Sequence, residues 1–139
     1  MLERTLMIIK PDAVKAGYAG KIIERAIEEG FEIRAMKMLR MEDKQAREFY
    51  AVHKGKPFYD SLVNFMTSGR VIVAALFREN AVEHWREVIG PTNWVDAGPM
   101  TIRRMFATSI EANAVHGSDS VENGKIETDF FFDPFEYLS

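Results

Sequence analysis

The chain has 139 residues, 47% of them hydrophobic and 28% charged, which suits one domain over 1–139 with a substantial core. It contains no cysteine, which excludes disulfide staples and thiolate metal sites and fits a reducing cytoplasm as its expected location. A formal net charge of −3 excludes a broad polyphosphate-binding face, so nucleic acid is not an expected partner and any basic residues that matter act locally.

Thr5 to Ile9 is a short apolar run stopped by the turn residues Lys10-Pro11-Asp12, and it reads as a first buried strand. It is far too short for a secretory or membrane-spanning segment, so no membrane contact is expected. After Gly17 and Gly20, the residues Ile22, Ile23, Ala26 and Ile27 recur at helical spacing, with Gly30 as the stop. Phe31, Ile33 and Ala35 then alternate with Glu32 and Arg34, and the pattern runs on to Leu39, the period of a half-buried strand. Asp43 is placed to cap a helix through Tyr50. Pro57 opens another, with Phe58, Leu62, Phe65 and Met66 on one face and Gly69 at its end. Val71 to Phe77 has no polar interruption and is rich in β-branched residues, which predicts a central strand buried on both faces. Asn80 and Glu83 form a capping-box pattern for a helix with Val82, Trp85 and Ile89 on one face and Gly90 as its stop.

From Gly90 to about Glu111 the periodicity fails, which predicts a long loop with a task of its own. A weak apolar segment follows at Ala114 and Val115. Asp119 with Glu122 then offers a second capping box for a last helix reaching Phe132. Gly124 inside that helix costs roughly 1 kcal/mol against alanine, so stability must come from burying Ile126, Phe130 and Phe131. The predicted order is β-α-β-α-β-α-β-α, which a two-layer α/β sandwich accommodates economically. His84 reads as a surface helix residue and the methionines as core filler.

The densest chemistry lies in Asn113-Ala114-Val115-His116-Gly117-Ser118-Asp119-Ser120, where an imidazole stands beside hydroxyls and a carboxylate. A neutral imidazole is a competent nucleophile near pH 7, although a lone His-Gly is more often a solvated turn. Lys10, Arg86, Thr92 and Arg103 add donors of the kind that grip phosphate oxygens. Singly, each basic residue is an ordinary surface charge; together with His116 they become a phosphate-site inventory. Gly17 and Gly20 do not fit the GxxxxGKS/T pattern of a Walker loop, so a nucleotide would be held by side chains.

These blocks, with Arg4-Thr5-Leu6, Ile9-Lys10-Pro11-Asp12, Phe49-Tyr50, Pro57-Phe58, Gly90-Pro91-Thr92-Asn93 and Thr101-Ile102-Arg103, resemble the nucleoside diphosphate kinase family along nearly the whole chain. The resemblance implies an α/β fold of the α+β kind: a ferredoxin-like βαββαβ sandwich, with a four-stranded antiparallel sheet, additional helices and a long loop before the last strand. It implies transfer of the γ-phosphate of a nucleoside triphosphate, typically ATP, to a nucleoside diphosphate by a ping-pong route through phosphohistidine on His116, which maintains triphosphate pools. Glu127 matches the family glutamate that orients the imidazole, and Ser118 and Tyr50 match hydroxyls close to it. Lys10, Arg86, Thr92 and Arg103 match phosphate-clamping positions, and His53 a position near the α-phosphate. Phe58 matches the residue that stacks on the base, with Ile110 against its other face; stacking tolerates every base. Lys10 and Asn113 match positions that bind the sugar hydroxyls, allowing ribose and deoxyribose. Mg²⁺ is expected to arrive with the phosphates, without a dedicated protein ligand, with Asp119 in reach of its water shell.

The resemblance also implies a homo-oligomer, a dimer-based tetramer or hexamer. Four residues depart from the usual pattern, Arg70, Trp94, Met100 and Met105, and none is a catalytic position. Two other classes fit less well. A silent nucleotide-binding module would not need every catalytic position filled, and an RNA-binding ferredoxin-like domain would be basic and carry RNP aromatics.

Overall fold

The structure, a computed structural model, describes residues 2–138. In chain order its strands are β1 (Leu2–Ile9), β2 (Glu32–Leu39), β3 (Val71–Glu79) and β4 (Val115–His116). Its α-helices are α1 (Pro11–Ala16), α2 (Ala19–Glu28), α3 (Asp43–Phe49), α4 (Tyr59–Met66), α5 (Ala81–Ile89), α6 (Ile102–Phe106) and α7 (Val121–Phe131). The four strands form one antiparallel sheet of order β2-β3-β1-β4.

The buried stretches Leu6–Ile9 of β1 and Val71–Phe77 of β3 are apolar throughout because successive side chains enter two different cores. Met7, Ile9, Ile72, Ala74 and Leu76 pack with Ile22 and Ala26 of α2 and Trp85 and Ile89 of α5. Leu6, Ile8, Val73, Ala75 and Phe77 pack on the other face with Ala46 of α3, Val63 and Met66 of α4 and Phe131 of α7. The additional helices therefore add a layer that helical periodicity alone did not assign to a face, and the sheet is covered on both sides.

Several local expectations change. Lys10-Pro11-Asp12 is more than a turn: Lys10 is extended and Pro11 opens α1, where a missing N–H and a fixed φ suit the first helical position. A bulge at Arg34 slips the register between Ile33 and Ala35. Ile33 therefore packs in one core and Ala35 in the other, and the alternation does not keep Phe31, Ile33 and Ala35 on one face. Asp43 lies inside α3, after an N-cap at Glu42. α4 starts two residues after Pro57 and buries Tyr59, Val63 and Met66, which leaves Phe58 at its N-cap.

Neither capping box forms as expected. Asn80 adopts a left-handed φ of 55° with no side-chain cap, and Glu3 of β1 instead accepts from the Val82 N–H at 3.3 Å. At α7 the cap is Ser120, which accepts from Asn123 N at 3.0 Å. The loop from 90 to 111 contains a 3-10 turn at Trp94–Asp96 and the short helix α6, capped by Thr101.

Gly124 has a steric reason: a Cβ there would lie 2.2 Å from the Arg4 carbonyl oxygen, so only glycine lets α7 lie against β1. Phe131 is buried and Phe130 half-buried as expected, but Ile126 is exposed. Ile27 is exposed too. Met7, Met41 and Met66 fill the core, whereas Met36, Met38, Met100 and Met105 face outward; Met1 lies outside the described residues. Among the described residues no helix is long and apolar enough to cross a membrane.

Candidate active site

β4 brings His116 beside Ile8, at the C-terminal end of β1. The approach to it is strained. Ala114 holds φ at 73°, and Val115 N donates to Asn113 O at 2.9 Å, closing a three-residue γ-turn that costs on the order of 1–3 kcal/mol for a non-glycine residue. Surrounding bonds hold that conformation. Lys10 N donates to Ala114 O at 2.9 Å, Asp12 Oδ2 accepts from Ala114 N at 3.1 Å, and Arg103 Nη2 donates to Val115 O at 2.8 Å. The buried Trp85 indole donates to the His116 carbonyl at 3.3 Å, and a Cβ at Gly117 would meet that ring at 2.7 Å. Gly117 is thus fixed by the close approach of Trp85.

Behind the imidazole lies a polar chain rooted in β1. Leu6 N donates to Ser118 Oγ at 3.0 Å, and Ser118 N donates to Thr5 Oγ1 at 3.2 Å. The Ser118 hydroxyl donates to Glu127 Oε1 at 2.7 Å, and the same oxygen meets His116 Nε2 at 2.8 Å. A carboxylate only accepts, so the proton is assigned to Nε2 and the lone pair to Nδ1. Ser118 therefore reaches the imidazole through Glu127 and not directly. Phe49 stands edge-on to the ring, with centroids 5.9 Å apart.

His116 and Glu127 open onto a cleft of about 460 Å³. Lys10, Tyr50, His53, Thr92, Arg103 and Asn113 line the same cleft, together with Asp119. Arg86 joins Thr92 and Arg103 in an adjoining pocket of about 110 Å³ beside Gly117. Eight of the twelve expected site residues thus share the cleft, Arg86 adjoins it, and Ser118 is buried behind it. Phe58 and Ile110 stand outside its lining. The Phe58 ring packs 5.2 Å from that of His53, and Ile110 is 61% exposed on the turn before Asn113.

The cleft is electrostatically prepared for anions. Lys10 is buried and donates to Asn113 Oδ1 at 2.7 Å; burial, then the charge of Arg103, lowers its ammonium to about 8. Burial, then Arg86, lowers Arg103 to about 10. Its Nη1 and Nη2 are taken by the carbonyls of Gly90 and Val115, and its Nε is buried without a partner among the described residues. Burial raises the Tyr50 phenol, with Glu127 adding to the shift, so Tyr50 stays a neutral hydroxyl. His53 is pushed down by burial and then by Lys56, and its buried Nδ1 has no partner among the described residues. Cations that cannot spread their charge into water, and donors still unpaired, are what a polyphosphate would satisfy.

Sequence reasoning did not pick out Trp85, Phe49, Thr5 and Asp12 as supports of the histidine, nor Val52, Leu62, Asn123 and Ile126 as cleft lining. Ile126, which helical spacing assigns to the core, is instead exposed on the cleft, and nothing in the local pattern marks it as lining.

The comparisons with known proteins agree with this arrangement. Residues 3–137 match the family model described as nucleoside diphosphate kinase. The chain is 56% identical over 135 residues to the nucleoside diphosphate kinase of Campylobacter jejuni, covering 97% of this chain and 98% of that one. It is 54% identical over 137 residues to that of Campylobacter lari, covering 99% and 100%. The crystal structure of the Aquifex aeolicus nucleoside diphosphate kinase superposes with a TM-score of 0.96 at 46% identity, covering 99% of this chain and 100% of that one. The Halobacterium salinarum nucleoside diphosphate kinase, solved in complex with CDP, gives a TM-score of 0.95 at 35% identity, covering 100% and 93%. A histidine held by a half-buried carboxylate above a cationic cleft, on this sheet order and with these relatives, places the chain in the nucleoside diphosphate kinase family.

Proposed function

We propose that this chain transfers the γ-phosphate of a nucleoside triphosphate to a nucleoside diphosphate through a phosphohistidine on His116. The bond between His116 Nε2 and Glu127 carries this reading, because it leaves Nδ1 as the nucleophile. The Nδ1 lone pair forms a bond to the γ-phosphorus. The bond from that phosphorus to the bridging oxygen breaks, its electron pair stays on the departing diphosphate, and Glu127 stabilises the positive charge on the ring. A second diphosphate in the same cleft reverses the step.

Lys10, Arg86, Thr92 and Arg103 bind and neutralise the phosphate oxygens, the largest contribution available in phosphoryl transfer. The neutral Tyr50 hydroxyl donates near the transferring group, and His53 lies towards the α-phosphate. Asn113 and Lys10 face the sugar, and Phe58 with Ile110 sandwiches the base. Ser118 positions Glu127. Asp119 is an exposed carboxylate on the cleft with Oδ1 accepting from Asn123 Nδ2 at 2.5 Å, and among the described residues no three His, Cys, Asp or Glu group to hold a metal. One such carboxylate fits a hydrated Mg²⁺ borne by the substrate, which would supply charge neutralisation.

Stacking between Phe58 and Ile110, which would use the π-face that every base has, supports broad base tolerance. A homo-oligomer is supported by β2, an edge strand whose Met36 and Met38 are each about half exposed. The cysteine-free composition and the nucleotide substrates support a cytoplasmic location.

Brief incubation with γ-labelled ATP and Mg²⁺ is expected to leave acid-labile, base-stable label on the enzyme, discharged by any added nucleoside diphosphate, with parallel-line initial rates. His116→Ala is expected to take no label; label retained in that variant contradicts the assignment.

A further inference from the structure

The Ser61 hydroxyl on α4 donates to Glu111 Oε2 at 2.8 Å. Among the described residues no other hydrogen bond or ion pair joins α4 to residues 107–112. The turn that carries Glu111 is closed on itself: Thr108 N and Ser109 N donate to Ala112 O at 2.9 and 3.3 Å, and Ala112 N donates to Ser109 Oγ at 2.9 Å. Phe58 sits at the N-cap of α4, one turn before Ser61, and Ile110 immediately precedes Glu111. The single bond links the two arms that bear these exposed apolar side chains. We propose that the Ser61–Glu111 hydrogen bond is a latch that fixes the width of the base slot, so that Ser61 and Glu111 are positioning residues for nucleotide binding.

This inference rests on the reading of Phe58 and Ile110 as the two faces of that slot. With the latch made, both arms are held at one separation before the nucleotide arrives. Without it, binding must order two independent segments, and that cost enters the affinity. His116 is held by a separate set, Trp85 and Glu127, with Thr5 and Ser118 behind them, so the chemical step stands apart from the latch.

Steady-state kinetics with ATP and with a purine and a pyrimidine nucleoside diphosphate tests this in the full chain. Ser61→Ala is expected to raise KM about three- to tenfold for every nucleotide, the range of one solvent-accessible hydrogen bond, with kcat kept within about twofold. Ser61→Thr keeps the hydroxyl and is expected to keep KM near that of the parent, and Glu111→Gln keeps an acceptor and is expected to fall between. The double variant Ser61→Ala, Glu111→Ala is expected to be no worse than the weaker single one, because the two side chains share one interaction. An unchanged KM in Ser61→Ala, or additive effects in the double variant, overturns the latch. Phe58→Ala, measured in parallel, separates the two levels. If it raises KM while Ser61→Ala does not, the latch alone fails; if it leaves KM unchanged, the base-slot reading fails and takes the latch with it.

Discussion

The floor of the cleft and its mouth are built differently. The floor, from the end of β1 through β4 to the middle of α7, is strained at Ala114 and cross-bonded residue to residue: Thr5, Leu6, Lys10, Asp12, Trp85, Arg103, Ser118 and Glu127 each hold a neighbour of His116 or the imidazole itself. The mouth, formed by residues 50–66 and 90–112, exposes Val52, Phe58, Met100 and Ile110, and one hydrogen bond joins α4 to residues 107–112. The contrast separates two tasks. A nucleophile must be held in one geometry before substrate arrives, whereas a slot that accepts any base needs faces and not fixed partners. Changes in the floor should therefore appear in kcat, and changes in the mouth and clamp in KM.

Glu127→Gln is the largest test of that division. An amide either accepts from Nε2 without a charge or turns its own NH₂ towards Nε2 and moves the ring proton to Nδ1, where it blocks attack. We expect kcat to fall on the order of 10²–10⁴-fold with KM little changed, the scale set by loss of a properly oriented proton partner. A variant that lost KM and kept kcat would dissolve the distinction between floor and mouth.

The pH profile gives a smaller effect with a defined sign. Burial holds the Lys10 ammonium near 8, against 10.5 for an ordinary lysine, so its charge is lost as pH rises through about 8. kcat/KM, which reports the free enzyme, should then fall above that pH. Folding moves the other way. Between about 8 and 10.5 the unfolded chain still binds a proton that the folded chain has released, so this group's contribution to stability rises with pH. Activity lost while urea stability is held or gained would assign the loss to Lys10; loss of both together would point to unfolding.

Arg86→Ala sharpens the comparison from the clamp side. Arg86 is exposed and its side chain has no hydrogen bond or ion pair among the described residues, so its removal should change stability by no more than about 0.5 kcal/mol. Nucleotide KM should nevertheless rise, because the side chain is free to meet phosphate. A marked drop in Tm with an unchanged KM would make Arg86 a structural residue.

What the sequence disclosed follows the same division. The strand core of β3 and the helix stops at Gly30 and Gly90 are local signals, written in apolar periodicity and in the positions that need positive φ. The site motif is local too, and the residues flanking His116 are all within one block. The α5 cap is not written in the local pattern because its partner is distant: Glu3 caps α5 from 79 residues away, and no spacing rule reaches that far. The bulge at Arg34 was hidden for a related reason, since a one-residue slip is visible only against β3. Trp85 read as an ordinary core aromatic on its helix, and only the folded chain brings its N–H to the His116 carbonyl. Gly124, which looked like a helix defect, is the point where α7 touches β1.

The central claim is that Glu127 fixes the tautomer of His116 and so selects Nδ1 as the phosphate carrier. Phosphorylating the enzyme with ATP and Mg²⁺, digesting it under alkaline conditions and separating the two phosphohistidine isomers tests it most directly. Phosphate on Nδ1 of His116 is the predicted result; phosphate on Nε2, or on any other residue, would contradict it.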